Sequence, residues 1–330
     1  MSETPDQTSR FERGGRVDRT DNSERTERTT TERVDGSQRT TEPLYERFDR
    51  AVKLGEIKLP PSLLSRVISG AVFIAIILGS IWISRYTTAI IMAFVAGIAA
   101  FEFYRMMKLD GKNPNMIIGV ACASLYPLTI LFGSVYINII TLLMLVALCL
   151  DYVIVLRTRI QDIALTIFGA LYTGLMLSSV VLIRQSYATP EQEFAIVLLT
   201  ITLFLSVWIN DSFAYLIGST FGKHRLVPKI SPAKSWEGFL AGVCGSVIVW
   251  LCCMFIPGID LKWHIALIGG VACGVVGVIG DLVESRIKRS CGVKDAGTMI
   301  PGHGGMLDRI DSQIFVMTTA YFVLRFGGVL

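Results

Sequence analysis

The stretch Gly280–Asp311 concentrates ionisable side chains in a chain that is otherwise largely apolar. It holds five carboxylates (Asp281, Glu284, Asp295, Asp308, Asp311), five cations (Arg286, Lys288, Arg289, Lys294, Arg309) and His303, in a Pro-Gly-His-Gly-Gly turn. Asp281, Glu284 and Lys288 are spaced i, i+3, i+7, so one helix face presents two acids and a lysine. Asp308 and Asp311 are again three apart, on the first turns of a last helix. Two acid pairs on two helix ends can meet at one site. Hard oxygen ligands of this kind suit Mg²⁺, which in turn suits phosphate substrates. Pro301–Gly305 removes side chains where backbone must turn sharply or approach a ligand closely. Lys288, Lys294 and Arg309 are cations of the kind that hold phosphate oxygens. His303 has three open roles: ligand, general base or hydrogen-bonded turn residue. A phosphomonoester nucleophile is already an anion near neutral pH, so positioning phosphate is favoured over proton abstraction. A surface salt-bridge net explains some of these pairs, but not the acid pairs, the glycine turn and the surplus cations together.

A second polar stretch, Asn210–Phe239, points the same way. Asp211 stands near the end of an apolar run. Gly218 and Gly222 flank a turn, and Lys223, His224, Arg225, Lys229 and Lys234 make a basic loop. Ser231, Pro232 and Ser235 suit a helix start, with Glu237 in the first turn. A basic loop that ends at a helix N-terminus is a phosphate-binding arrangement, with backbone N–H groups and lysines facing the anion. By itself this loop discriminates little, because basic loops are what membrane topology demands.

The elements that must position these segments are membrane helices. Hydrophobic residues make up 52% of the chain, and several apolar runs approach or exceed the ~20 residues that cross ~30 Å of hydrocarbon. The expected fold is all-α, a polytopic helical membrane protein with spans near 63–84, 86–107, 115–133, 135–156, 162–184, 194–218, 236–256, 264–285 and 312–329. The ~10-residue alternating segments of a β-barrel are missing from the sequence. Residues 1–50 carry ten Arg, no Lys and twelve acids, and the remainder a net charge of +6. The first fifty residues are too polar to offset the entropy of ordering and read as a disordered cytoplasmic tail, too acidic to suggest a nucleic-acid partner. Residues 44–62 read as a short interfacial helix ended by Pro60 and Pro61. Residues 51–194 then form N-terminal membrane helices and 195–330 the catalytic membrane region. Lysine and arginine concentrate on alternate flanks: Lys53, Lys58 and Arg66; Arg105, Lys108 and Lys112; Arg157 and Arg159; then the two polar stretches. The opposite flanks carry Arg85, Arg184, Lys262 and Arg325. By the positive-inside rule the N-terminus and both polar loops are expected in the cytoplasm of a multi-pass cell-membrane protein. No apolar core follows Met1 within thirty residues, so the first membrane helix is expected to act as its own insertion signal. The seven cysteines show no metal-binding spacing and read as packing residues.

Ser285-Arg-Ile-Lys288-Arg289, Lys294-Asp295 and Pro301-Gly-His303-Gly304-Gly305-Met-Leu-Asp308-Arg309-Ile-Asp311 resemble the signature of phosphatidate cytidylyltransferases, or CDP-diacylglycerol synthases. Asp211-Ser-Phe-Ala-Tyr215, Gly222-Lys-His and Ser231-Pro-Ala-Lys234-Ser-Trp236-Glu237-Gly238 resemble that family's second motif. The likeness covers roughly 195–325; residues 63–194 match only as apolar spans. Ser212-Phe213 replaces the Thr-Gly of many bacterial members and Ser235 a Thr, neither removing a charge or a phosphate-contacting group. The resemblance implies transfer of a cytidylyl group from CTP to phosphatidate, with release of pyrophosphate. It also implies a metal-dependent site with Asp281 and Asp308 as ligands. The assignments that follow make Glu284, Asp311 and Asp211 further ligands or their supports. Mg²⁺ is the expected ion, with room for a second, divalent or K⁺. Lys234, Lys288, Lys294 and Arg309 contact the triphosphate or head group, Ser231 and Glu237 belong to the nucleotide loop, and His303 positions phosphate. Membrane lipids are the expected surroundings, and a homodimer is plausible from the resemblance alone.

Three rival readings stay open on the sequence. A CTP-using lipid kinase would move the terminal phosphoryl group and release CDP. A divalent-cation transporter would place its acids at mid-bilayer within broken helices. A structural membrane protein would have lost catalysis.

Overall fold

The computed structural model describes residues 61–297, Met299 and 304–330, with the side chains of 61–66 and Ser134 left aside. The expected tail and nearly all of the interfacial helix lie outside the described residues. Helices follow one another as α1 (Pro61–Ile83), α2 (Arg85–Leu109), α3 (Met116–Thr129, continued by a 3₁₀ turn), α4 (Ser134–Ile154), α5 (Ile160–Ala170), α6 (Ser179–Arg184), α7 (Pro190–Phe221), α8 (Trp236–Cys253), α9 (Trp263–Ser290) and α10 (Leu307–Phe326). Between α5 and α6 the chain makes a π-helical turn, Leu171–Leu175. Helices lie at the positions of the nine expected spans, but not all of them are long and apolar enough to count as crossings. Among the described residues, six segments can by length and composition cross a membrane: α2, α4, α7, α8, α9 and the continuous stretch Ile160–Arg184. α4 lies at the periphery, with 11% of its apolar window buried.

Two features depart from expectation. α10 begins at Leu307, five residues before the expected span at 312, and Asp308 and Asp311 stand in its first turns as their spacing implied. The basic loop is not irregular throughout: β1 (Arg225–Val227) and β2 (Ser231–Ser235) pair antiparallel, Arg225 opposite Ser235 and Val227 opposite Ser231. The hairpin runs straight into α8, whose N-cap is Ser235; its buried hydroxyl accepts the Gly238 amide at 3.2 Å.

Small residues let the helices approach. A side chain on Gly242 of α8 would strike Asn210 of α7, and one on Gly270 or Gly274 of α9 would strike the α8 backbone at Val247 or Val243. Close backbone approach is how helices associate where lipid removes the hydrophobic drive between them. Buried Asn210 fixes the register, donating from Nδ2 to the Gly274 carbonyl at 3.1 Å. At Gly280 the same device joins α9 to α10: an ideal Cβ there would lie 2.6 Å from the Asp311 carbonyl and 3.1 Å from Ser312 Cα. The two helices therefore cross where each carries its acids.

Candidate active site

α9 extends through Ser290, beyond the expected end at 285, and this keeps Asp281, Glu284 and Lys288 on one continuous face. The crossing at Gly280 brings Asp311 of α10 to that face. One carboxylate oxygen each from Asp281, Glu284 and Asp311 lie within 4.8 Å of one another. Such a cluster is repulsive unless cations enter it. Lysines supply part of the compensation. Lys288 Nζ lies 2.5 Å from Glu284 Oε2 and 2.6 Å from Asp308 Oδ1, and Lys234 Nζ lies 2.5 Å from Asp281 Oδ2. Glu284 is fully buried, yet its Oε1 receives no hydrogen bond. A buried, unsatisfied carboxylate oxygen facing two others is what a hard divalent cation would satisfy, so these residues fit Mg²⁺.

Asp308 stands apart from this trio. Its Oδ2 accepts the amides of Ala296 at 3.0 Å and Gly305 at 2.8 Å, while Oδ1 takes Lys288. It thus ties Ala296 and Gly305 to Lys288 of α9. Gly304 adopts φ +90°, a conformation that favours glycine.

The first polar stretch meets the second through Lys234. Around it lies a cavity of about 700 Å³, lined among others by Asp211, Tyr215, Arg225, Lys234, Ser235 and Asp281. Asp211 is exposed to this cavity, and Asp281 marks its boundary with the acid cluster. Ser231 sits in β2 opposite Val227, one residue before the lining begins at Pro232. Glu237 turns the other way: its Oε1 is 2.7 Å from His224 Nδ1, and its oxygens also accept the His224 amide at 3.3 Å. It staples the start of the hairpin to α8, with His224 of the basic loop as its partner. Lys294 and Arg309 are exposed. His303 lies outside the described residues.

Two residues of the N-terminal helices reach the site unannounced. Glu102 of α2 is 3% exposed and accepts the Leu307 amide on Oε2 at 2.9 Å. Tyr172, in the π-helical turn, is buried with its hydroxyl unpartnered. Its electrostatic neighbours are Asp311, Glu284 and Asp281, and the rings of Phe103, Phe168 and Phe315 pack around it. The available signals were an acid within an apolar span, a functional site by default, and for Tyr172 nothing local, since a π turn is not legible in composition.

On the other side of α9 lies an apolar groove of about 490 Å³ between α2, α5 and α9, lined by Phe103, Met107, Leu165, Phe168 and Leu282, with Arg286 as its cation.

Known proteins carry the same arrangement of sequence. The model of the cytidylyltransferase family matches residues 64–327. The chain is 32% identical over 286 residues to "Phosphatidate cytidylyltransferase 5, chloroplastic" of Arabidopsis thaliana, covering 77% of this chain and 69% of that one. Against the phosphatidate cytidylyltransferase of Bacillus subtilis it is 29% identical over 267 residues, 78% of this chain and 96% of the other. Against that of Staphylococcus haemolyticus the identity is 38% over 170 residues, 51% of this chain and 62% of the other. The match spans the N-terminal helices as well as the charged segments, and the chain belongs to the cytidylyltransferase family.

Proposed function

We propose that this membrane protein transfers the cytidylyl group of CTP to phosphatidate, giving CDP-diacylglycerol and pyrophosphate. The observation that carries the reading is the meeting of Lys234 from one charged segment with Asp281 from the other, at the edge of a cavity large enough for a nucleotide. A phosphatidate phosphate oxygen forms a bond to the α-phosphorus of CTP, and the bond from that phosphorus to the bridging oxygen of pyrophosphate breaks. Both reactants are anions, so positive charge must be gathered where they meet. Lys234 and Arg225 line the nucleotide cavity and Lys288 stands at the acid cluster, with Lys294 and Arg309 at its rim. Asp281, Glu284 and Asp311 would hold Mg²⁺, with Asp211 close by. Held by these residues, the ion would supply positive charge to offset that developing on the leaving pyrophosphate. The resemblance also makes Asp308 a ligand. With three donors already on its carboxylate, its part in this arrangement is to orient Lys288 and the glycine loop. Ser231 and Glu237 shape the nucleotide loop, Glu237 through His224, and His303 positions phosphate.

The lipid's acyl chains remain in the bilayer and lie along the apolar groove between α2, α5 and α9, with Arg286 drawing the head group toward α9. Nine membrane crossings, with the N-terminus and both charged segments in the cytoplasm, agree with the alternation of basic flanks. Residues 51–194 then serve as scaffold to a catalytic region, 195–330, and a homodimer is compatible with the exposed apolar faces.

Product analysis tests the activity. Purified protein in detergent receives phosphatidate and CTP labelled at the α-phosphorus. Label in a lipid, with one pyrophosphate released per lipid, is the expected result. Label left in free CDP, with a lipid gaining the terminal phosphate, identifies a kinase instead.

A further inference from the structure

Glu102 is the one acid of α2, a helix outside both charged segments, and it is almost wholly buried. A carboxylate in such a place needs partners. It finds one in α10, 205 residues away, where Oε2 accepts the Leu307 amide at 2.9 Å. The first amides of a helix lack partners within it, and the positive end of its dipole favours an anion. In α10 the N-cap residue is Met306, whose side chain makes no capping hydrogen bond. Glu102 therefore supplies from another helix the cap that the local sequence lacks.

The contact extends into the glycine loop. A Cβ on Gly305 would lie 2.6 Å from Glu102 Oε2, and one on Gly297 would run into Oε1. The two glycines thus close around the carboxylate. The Gly305 amide donates to Asp308, and Asp308 holds Lys288, which holds Glu284. A continuous chain of contacts runs from Glu102 to the acid cluster.

We propose that Glu102 is a positioning residue for the transfer reaction. It pins Gly297, Gly305 and the first turn of α10, and so sets where Asp308 and Lys288 stand. The proposal rests on the cytidylyl-transfer reading for its kinetic part, and on the protein alone for its structural part.

The test pairs steady-state kinetics with hydrogen–deuterium exchange on the full-length protein in detergent. Loss of a charge-assisted hydrogen bond that orients reacting groups predicts that Glu102→Ala lowers kcat about tenfold or more. KM for CTP should stay within about twofold, because the nucleotide cavity is built from other elements. In the absence of substrate, amides of the peptide covering 304–310 should exchange about tenfold faster, with α7 and α8 unchanged. Glu102→Gln keeps an acceptor for Leu307 and should restore most of the protection and of kcat. Gly305→Ala attacks the same contact from the other side and keeps the carboxylate, so it should reproduce the loss even if Glu102→Ala does not fold. Wild-type kcat in both Glu102→Ala and Gly305→Ala, or a kcat loss with loop exchange at the wild-type rate, overturns the proposal. If wild-type protein makes no CDP-diacylglycerol, the transfer reading fails, while the exchange comparison still decides whether Glu102 holds the loop.

Discussion

Lys234 Nζ lies 2.5 Å from Asp281 Oδ2, joining the hairpin before α8 to the middle of α9. The lysine is 23% exposed and faces the nucleotide-sized cavity. In this state it is held by a carboxylate, and an arriving triphosphate offers it oxygens of higher charge. In the proposed reaction the lysine would pass from carboxylate to phosphate, leaving Asp281 open toward the acid cluster.

Removing that cation should weaken nucleotide capture more than it disturbs the fold. A charge-assisted contact to phosphate is worth roughly 1.5–3 kcal/mol, so Lys234→Ala should raise KM for CTP about tenfold to a hundredfold. Lys234→Arg keeps the charge on a bulkier, planar group and should fall between. The check is initial-rate kinetics over a CTP series at saturating phosphatidate. An unchanged KM would place the nucleotide elsewhere.

The carboxylate trio makes a prediction about metal. Activity should vanish on chelation with EDTA and return when Mg²⁺ is added in excess. Asp281→Asn, Glu284→Gln and Asp311→Asn each remove a charged ligand, and each should lower kcat by about a hundredfold or more. The variants that retain measurable turnover should need more Mg²⁺ for half-maximal rate. A Mg²⁺ titration of residual activity measures this directly. Wild-type Mg²⁺ dependence in all three would remove the trio from the metal site.

Much of this candidate site is legible in the amino-acid sequence. The i, i+3, i+7 spacing of Asp281, Glu284 and Lys288 survives as one face of α9, and Ser235 is the N-cap it resembled. These features are local, governed by helical periodicity and by short-range hydrogen bonds. What escaped is long-range. Glu102 looks like a stray acid in an apolar run until α10 is packed against α2, and Tyr172 until a π turn rotates it inward. The amides of Ala296 and Gly305 that Asp308 accepts are likewise contacts that its spacing to Asp311 does not reveal. Spacing along a helix places a carboxylate on a face; it does not say which neighbours will claim its lone pairs.

The Ser235 cap offers a test of how far the hairpin depends on α8. Its hydroxyl is buried and satisfies the Gly238 amide, and a side chain on Gly222 would press upon it. Ser235→Ala should cost about 1 kcal/mol by loss of the cap. Ser235→Thr retains the hydroxyl and should cost less. Thermal unfolding in detergent measures the stability difference. Because Lys234 precedes the cap directly, KM for CTP should rise in Ser235→Ala even where the protein remains folded.

The crossing of the two helices at Gly280 is sensitive to a single methyl group. Gly280 meets the carbonyl of Asp311 and the ring of Phe315, where an added Cβ would lie 2.6 Å and 2.9 Å from its nearest atoms. The carbonyl belongs to backbone in the first turns of α10 and cannot rotate aside. Gly280→Ala must therefore push α9 and α10 apart, at a cost of about 1–3 kcal/mol for overpacking. The separation falls between Asp281 and Asp311, so the acids lose their common centre. The expected outcome is a lowered Tm together with a raised Mg²⁺ requirement, whereas a methyl added at Gly79 of α1, where nothing lies within 4 Å, should change neither. Thermal unfolding and a Mg²⁺ titration on both variants separate the cases. A Gly280→Ala protein with wild-type Mg²⁺ dependence would show that the crossing holds the helices together without setting the geometry of the acids.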